Sequence, residues 1–364
     1  MSRSVAAALL TLSIVTLLGC ATNGPSAAAP ADRYAKYVWP PPPDQPRIRL
    51  LDIVEGRIDV EAQSSFARTL IGASPQGAYD KLKKPFAVKY DRKGRLLVTD
   101  SALGALFRFD RETRRMDVFG TTGALHLKLP LGLAVAPDGR IFVADAGQQR
   151  VIVFDADGNI TGAFGHSGEL VNPAGVAIAP DQKRLFVADS KAHQIVVYDL
   201  AGGAVIKRFG KRGEGEGEFS FPTSLAFSRE GELCVIDQIN ARVQLFSAEG
   251  EFLDTFGSAG KGFGNFVRPK DIALDDDGLI YVTDGAFSNV QIFSKDLTLL
   301  TFIGSGGREP GQFQIASGVA THGNQFAVVD QIGRRVQVFR FIGPKLGEPE
   351  RTKSEITTTS QKSN

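Results

Sequence analysis

The most constraining feature of this sequence is a short apolar phrase that ends in aspartate and returns six times between Pro85 and Ile342. Phe142-Val143-Ala144-Asp145 is one copy, with the composition of a buried strand. The six aspartates follow one another at spacings of 45, 44, 48, 47 and 46 residues; they are Asp100, Asp145, Asp189, Asp237, Asp284 and Asp330. Length alone would suggest roughly two domains. This period indicates instead one array of a repeated unit made of strands.

Each unit divides into four short strands joined by turns. In the second unit we predict strands over 132–136, 141–144, 150–154 and 160–164, with Pro137-Asp138-Gly139 as the first turn. Asp/Gly pairs tolerate the positive φ that tight hairpins need. A strand-based period of about 40 to 50 residues is typical of propeller blades. The sequence therefore predicts an all-β fold, a six-bladed β-propeller of four-stranded antiparallel blades.

Three units share an aspartate followed five residues later by an arginine that opens an apolar strand. The pairs are Asp145 with Arg150, Asp237 with Arg242, and Asp330 with Arg335. Together with nearby strands of the Pro-x-Gly-Val-Ala kind, they resemble NHL repeats. The resemblance supports the fold and implies little about function, because this fold hosts lyases, lactonases and pure binding platforms. Since a fold device repeats and an active site usually does not, we interpret the pairs as structural: the aspartate caps a turn and the arginine stiffens it.

The sixth unit lacks a fourth strand, because a polar tail follows soon after Phe341. An open edge strand would be an aggregation hazard, so a segment near the N-terminus should close the ring. Residues 47–54 have strand composition, whereas residues 66–72 lie at the right distance from the next unit but also suit a short helix. We favour 47–54 as the closing strand.

The first residues are typical of a secretory signal. The apolar run over 5–18 is too short to span a membrane core, which needs about 20 residues. Leu17-Leu18-Gly19-Cys20 resembles the lipobox of bacterial lipoproteins, which implies cleavage after residue 19 and lipidation of Cys20; a plain signal with an incidental cysteine is the alternative. Ala21, where aspartate would retain a lipoprotein in the inner membrane, implies the outer membrane. We expect the propeller over 46–342, between an Ala/Pro-rich tether over 20–45 and a disordered polar tail over 343–364.

The charge balance and the histidines narrow the function. A net charge of +2 is too small to attract a nucleic acid electrostatically, so we do not expect nucleic acid as a partner. The four histidines fall at unrelated levels of their units, so we predict no metal or other cofactor. At the starts of the innermost strands, blades four to six carry polar residues, and we expect them to form a binding rim beneath long glycine-rich loops. These residues are Thr223, Ser224, Lys270, Asp271 and Ser317.

From these features we predict a lipid-anchored propeller that faces the periplasm and binds a protein, peptide or glycan partner in the cell envelope. The alternative is a channel-mouth enzyme of the lyase or lactonase type. It would depend on Ser224, Lys270 and Asp271, the polar cluster that the sequence offers for chemistry.

Overall fold

The computed structural model describes residues 33–61, 77–166 and 168–343. The described chain begins with strands β1 (Val38–Trp39) and β2 (Ile48–Val54), followed by a 3-10 turn over Arg57–Asp59. A second 3-10 turn covers Ser190–Ala192. All other regular structure in the described ranges is β-strand, so the all-β prediction is confirmed.

The remaining strands fall into six groups. Blade one contains β3 (Pro85–Tyr90), β4 (Leu96–Asp100), β5 (Ala105–Asp110) and β6 (Arg115–Phe119). Blade two contains β7 (Pro130–Val135), β8 (Ile141–Asp145), β9 (Arg150–Phe154) and β10 (Ile160–Phe164). Blade three contains β11 (Pro173–Ile178), β12 (Arg184–Asp189), β13 (Gln194–Asp199) and β14 (Val205–Phe209). Blade four contains β15 (Pro222–Phe227), β16 (Leu233–Asp237), β17 (Arg242–Phe246) and β18 (Phe252–Phe256). Blade five contains β19 (Pro269–Leu274), β20 (Ile280–Asp284), β21 (Asn289–Phe293) and β22 (Leu299–Ile303). Blade six contains β23 (Ala316–His322), β24 (Gln325–Asp330) and β25 (Arg335–Phe341).

Each blade is an antiparallel sheet, and the blades form a closed ring. The first strands of neighbouring blades contact one another all the way round, with β23 against β3, so these strands line the central channel. Second strands such as β8 are buried along their whole length, whereas an outermost strand such as β14 is exposed at its centre. The buried residues form six core clusters, one between each pair of neighbouring blades. The six-bladed prediction is confirmed.

Strand β2 completes blade six. It pairs antiparallel with β25 from Ile48 opposite Phe341 to Val54 opposite Val336. Its apolar side chains enter the cores on both sides of the blade, with Leu50 fully buried. The preference for 47–54 as closing strand is confirmed, while residues 66–72 lie outside the described residues.

The segment before β2 differs from the expected tether. Residues 20–45 were predicted to lie outside the propeller, but β1 pairs with β2 and extends the sixth sheet to five strands. Tyr34 is buried in the core between blades five and six, and the Trp39 ring packs edge-on against Phe339 at 5.5 Å between centroids. Aromatic burial therefore places residues 34–39 within the propeller. The signal segment, Cys20 and residues 344–364 of the predicted tail lie outside the described residues.

Candidate functional site

The buried aspartates organise the face of the propeller that carries the long interblade loops. All six phrase-ending aspartates have no exposed surface. The carboxylate of Asp145 accepts the N–H of Gln148 in the turn after β8 and the N–H groups of Lys128 and Leu129 just before β7. Each such aspartate therefore fixes a turn and the residues that lead into an innermost strand. This second role was not predicted from sequence.

The three Asp/Arg pairs are not equivalent. Arg242 Nε lies 2.9 Å from Asp237 Oδ2, and Arg335 Nε lies 3.1 Å from Asp330 Oδ2. In the described part of the chain no ion pair joins Asp145 to Arg150, although these two residues are opposite each other across the hairpin. The arginines of blades four and six also donate to carbonyls of the long loops, as Arg242 does to Gly215 and Glu218. They stiffen loops as well as turns.

Glutamines on the third strands fix the long loops from below. Gln244 accepts the N–H of Gly217 at 2.9 Å and donates to the carbonyl of Glu218 at 2.7 Å. Gln337 makes the same two contacts, with Gly311 and Gln312, at 2.7 Å each. The glycine-rich loops before blades four and six are therefore held in place by buried side chains. Gln291 does the same for the loop before blade five.

The predicted rim residues do come together at the channel mouth, on blades four to six. Asp271 is the centre of the group, and its side chain is buried. Its Oδ1 accepts the Ser224 hydroxyl at 2.5 Å, and its Oδ2 accepts the backbone N–H of Val319 at 2.8 Å. The carboxylate thus ties the innermost strands of three blades together.

The neighbouring hydroxyls also serve backbone groups. Ser317 donates to the carbonyl of Phe86 at 2.9 Å, and Thr223 donates to the carbonyl of Lys270 at 3.3 Å. Innermost strands have no further strand on their channel side, so their N–H and C=O groups need other partners. Thr223, Ser224, Asp271 and Ser317 satisfy that edge. The Asp271 carboxylate is already occupied by these protein groups.

Lys270 is different. Within the described residues its ammonium has no carboxylate at ion-pair distance, and it lies over the ring of Phe86 at 5.3 Å from the centroid. Partial burial, together with the nearby charges of Arg268 and Lys84, lowers the pKa of Lys270 to about 8, against a smaller opposing effect of Asp271. The mouth therefore presents a cation that lacks an anion.

Exposed apolar side chains lie on the same face of the propeller, in blades two to six. Leu129, Val171 and Val267 each precede an innermost strand by one or two residues, and a buried aspartate accepts the backbone N–H of each. Phe221, Ile239 and Ile332 lie at neighbouring positions on blades four and six. We call this set the loop-face ring; its members are between 38% and 64% exposed, and they are Leu129, Val171, Phe221, Ile239, Val267 and Ile332. For four members the sequence signal is an apolar residue one or two positions before a strand-opening proline, whereas Ile239 and Ile332 lie in the turns after β16 and β24.

The described ranges contain no group of three or more His, Cys, Asp or Glu side chains that could hold a metal ion. Cys234 is buried in β16, where burial raises the pKa of its thiol to about 12. No helix within the described residues is long and apolar enough to cross a membrane.

Comparisons with known families agree with the fold. A family model of the NHL repeat matches residues 127–154 and 170–198, and a family model described as a 6-bladed beta-propeller matches residues 224–306. Over 147 residues, the chain is 26% identical to peptidylglycine alpha-amidating monooxygenase from Rattus norvegicus, a match that covers 36% of this chain and 15% of that protein's length.

Solved structures share the architecture at low identity. Virginiamycin B lyase from Staphylococcus aureus is similar with a TM-score of 0.52 and 13% identity, over 71% of this chain and 80% of that one. Hydrazine synthase from Kuenenia stuttgartiensis is similar with a TM-score of 0.52 and 15% identity, over 75% of this chain and 99% of that one. A protein of unknown function from Bacteroides thetaiotaomicron is similar with a TM-score of 0.59 and 14% identity, over 81% of this chain and 75% of that one. At these identities the likeness shows the fold alone.

Proposed function

We propose that this chain, a six-bladed β-propeller built from NHL repeats, is a lipid-anchored platform that binds a protein, peptide or glycan partner in the cell envelope. The observation that carries the proposal is the loop-face ring around the Lys270 ammonium. Extended apolar surface on a monomeric protein often marks an interaction site, and five of the six blades place an exposed apolar side chain on this face. Apolar contacts around a cation favour a protein or peptide that carries a carboxylate over a glycan.

The rigidity of this face supports the same role. Buried aspartates fix the backbone of ring residues, and buried glutamines fix the adjoining loops. A surface that is already ordered loses little conformational entropy when a partner binds. The propeller therefore suits recognition by a preformed face.

The proposed location rests on the sequence. The lipobox-like segment ending at Cys20 supports a lipid anchor, and Ala21 supports the outer membrane, with the propeller facing the periplasm. Because the described part of the chain starts at residue 33, the anchor and the location need their own test.

Crosslinking followed by pull-down from native envelopes tests the proposal. The loop-face variant Val267→Ser/Lys270→Ala should lose the partners that the wild type retains. A matched control, Ile206→Ser/Lys207→Ala, changes one exposed apolar residue and one lysine on an outermost strand and should retain them. Equal retention by both variants would refute binding through the loop face.

A second candidate function, a channel-mouth enzyme of the lyase or lactonase type, is favoured by one observation. An amine whose pKa is about 8 is neutral in a useful fraction near neutral pH, as a general base or nucleophile must be. Elemental analysis of the purified protein separates the two candidates. Stoichiometric zinc or calcium would favour the enzyme.

A further inference from the structure

The channel opens on its other face into a funnel that none of the loop-face residues lines. Its volume is about 340 Å³, and all six blades contribute to its wall through the second halves of their innermost strands. Turn residues that follow the innermost strands of blades two and three, Pro137, Pro180 and Gln182, also line it. This face is opposite the long loops, so the funnel is separate from the loop-face ring.

One level of the funnel breaks the repeat. The strand registers align six positions, one in each blade, and five of them are alanine: Ala134, Ala177, Ala226, Ala273 and Ala320. In blade one the equivalent position, opposite Leu97, is Lys89. A side chain that the fold requires should recur at the equivalent position of every blade, as the alanines do. Lys89 breaks this pattern, so the repeat itself does not explain it.

Lys89 bonds to the neighbouring blade. Its Nζ donates to the carbonyl of Val319, in blade six, at 3.2 Å. An ammonium has three N–H donors, so this single contact leaves donors for another acceptor. In the described part of the chain no carboxylate pairs with it, and among the described residues that line the funnel it is the one charged side chain.

Most of the other lining residues are aliphatic or aromatic, and polar atoms contribute nearly half of the funnel surface. Val176, Ile178, Leu225, Phe227 and Leu274 line it together with the alanines. The hydroxyl of Thr321 already donates to the carbonyl of Leu274 at 2.8 Å. Small-molecule sites are typically concave, apolar and of about 300–1,000 Å³, with a few polar groups that set orientation. The funnel has the concave form and the volume of such a site, together with one charged group and aliphatic side chains that an apolar ligand could contact.

We propose that this funnel binds a small organic carboxylate with an apolar body, with the carboxylate on Lys89 and the body against the ring of alanines and larger aliphatic side chains. The positive charge of Lys89 favours an anionic group, and the apolar side chains favour a ligand that carries an apolar body beside that group. This site is independent of partner binding at the loop face.

Isothermal titration of the full chain with octanoate tests the proposal, with octan-1-ol and inorganic phosphate as comparison probes. We expect one saturable site for octanoate, and binding of octan-1-ol and phosphate that is weaker by about tenfold or more, since each lacks either the charge or the apolar body. Lys89→Met keeps the apolar stem and removes the amine, so it should lose the preference for octanoate over octan-1-ol.

Two controls keep the result interpretable. Circular dichroism checks that Lys89→Met is folded, and Lys270→Met removes the lysine at the opposite mouth. The proposal predicts that Lys270→Met binds octanoate as the wild type does. Absence of octanoate binding by the wild type, an unchanged preference in Lys89→Met, or loss of binding in Lys270→Met alone would each overturn it.

Discussion

Closure of blade six by β2 can be tested with a single substitution, Leu50→Ala. Leu50 has no exposed surface, lies opposite Phe339 and belongs to the core between blades five and six. Truncation of a fully buried leucine costs about 2–5 kcal/mol, from lost apolar burial and from the cavity left behind. Total stability is about 5–15 kcal/mol for a typical domain. The free energy of unfolding should therefore fall by a large fraction.

Urea unfolding measures this loss with two signals. Trp39 is the single tryptophan of the sequence and packs on Phe339 in blade six, so its fluorescence reports on the closure. Far-UV circular dichroism reports on all blades. We expect both midpoints to fall in Leu50→Ala.

Ile58→Ala is the matched control, because Ile58 follows β2 but is 54% exposed. Its effect should stay within about 0.5 kcal/mol, as for most surface changes. A Leu50→Ala midpoint equal to that of Ile58→Ala would refute the assignment of β2 as a structural part of the ring.

Three further predictions concern the turns, the channel mouth and the anchor. Asp330→Asn should destabilise the chain more than Asp145→Asn in the same urea assay, because Asp330, unlike Asp145, pairs with a buried arginine, Arg335, and breaking such a pair costs about 3–5 kcal/mol. The pKa of Lys270 falls from 10.5 to about 8 on folding, so the unfolded chain binds more protons between these values; the free energy of unfolding should rise from pH 8 to 10.5, and Lys270→Met should remove this part of the rise. Cys20→Ala should abolish lipid labelling and release the protein from the membrane pellet, and unchanged labelling would contradict the lipid anchor.

The repeat could be predicted from the sequence because each blade places similar residues at equivalent buried positions. The aspartate at the end of the second strand marks every blade, and the missing fourth strand of blade six shows where the N-terminal segment must return. The position of Tyr34 and Trp39 was not predictable in this way. They lie in a Pro-rich segment whose composition indicates a tether, but they pack against a core to which β2 and blades five and six all contribute, so their position depends on contacts between segments far apart in the sequence.

The candidate site could be predicted from the sequence only in part. The repeat pattern predicted that Ser224, Lys270, Asp271 and their neighbours meet at one channel mouth. It did not show which of these side chains remain available to a ligand, because that depends on their hydrogen bonds to the unpaired strand edge of the adjacent blade. Asp271 is occupied by Ser224 and Val319, a contact between strands of three blades that no local pattern shows. Lys89 was missed because its contrast with five alanines appears only once the strand registers align the blades.

The central claim, that the loop face is the binding surface, is tested most directly by photo-crosslinking in intact cells. A photoreactive side chain at Val267 lies in the loop-face ring, and one at Ile206 lies on the outermost strand of blade three with similar exposure. The account predicts discrete crosslinked species from Val267 that are absent from Ile206 and that disappear when Lys270→Ala is added. Crosslinks from Ile206 with none from Val267 would contradict it.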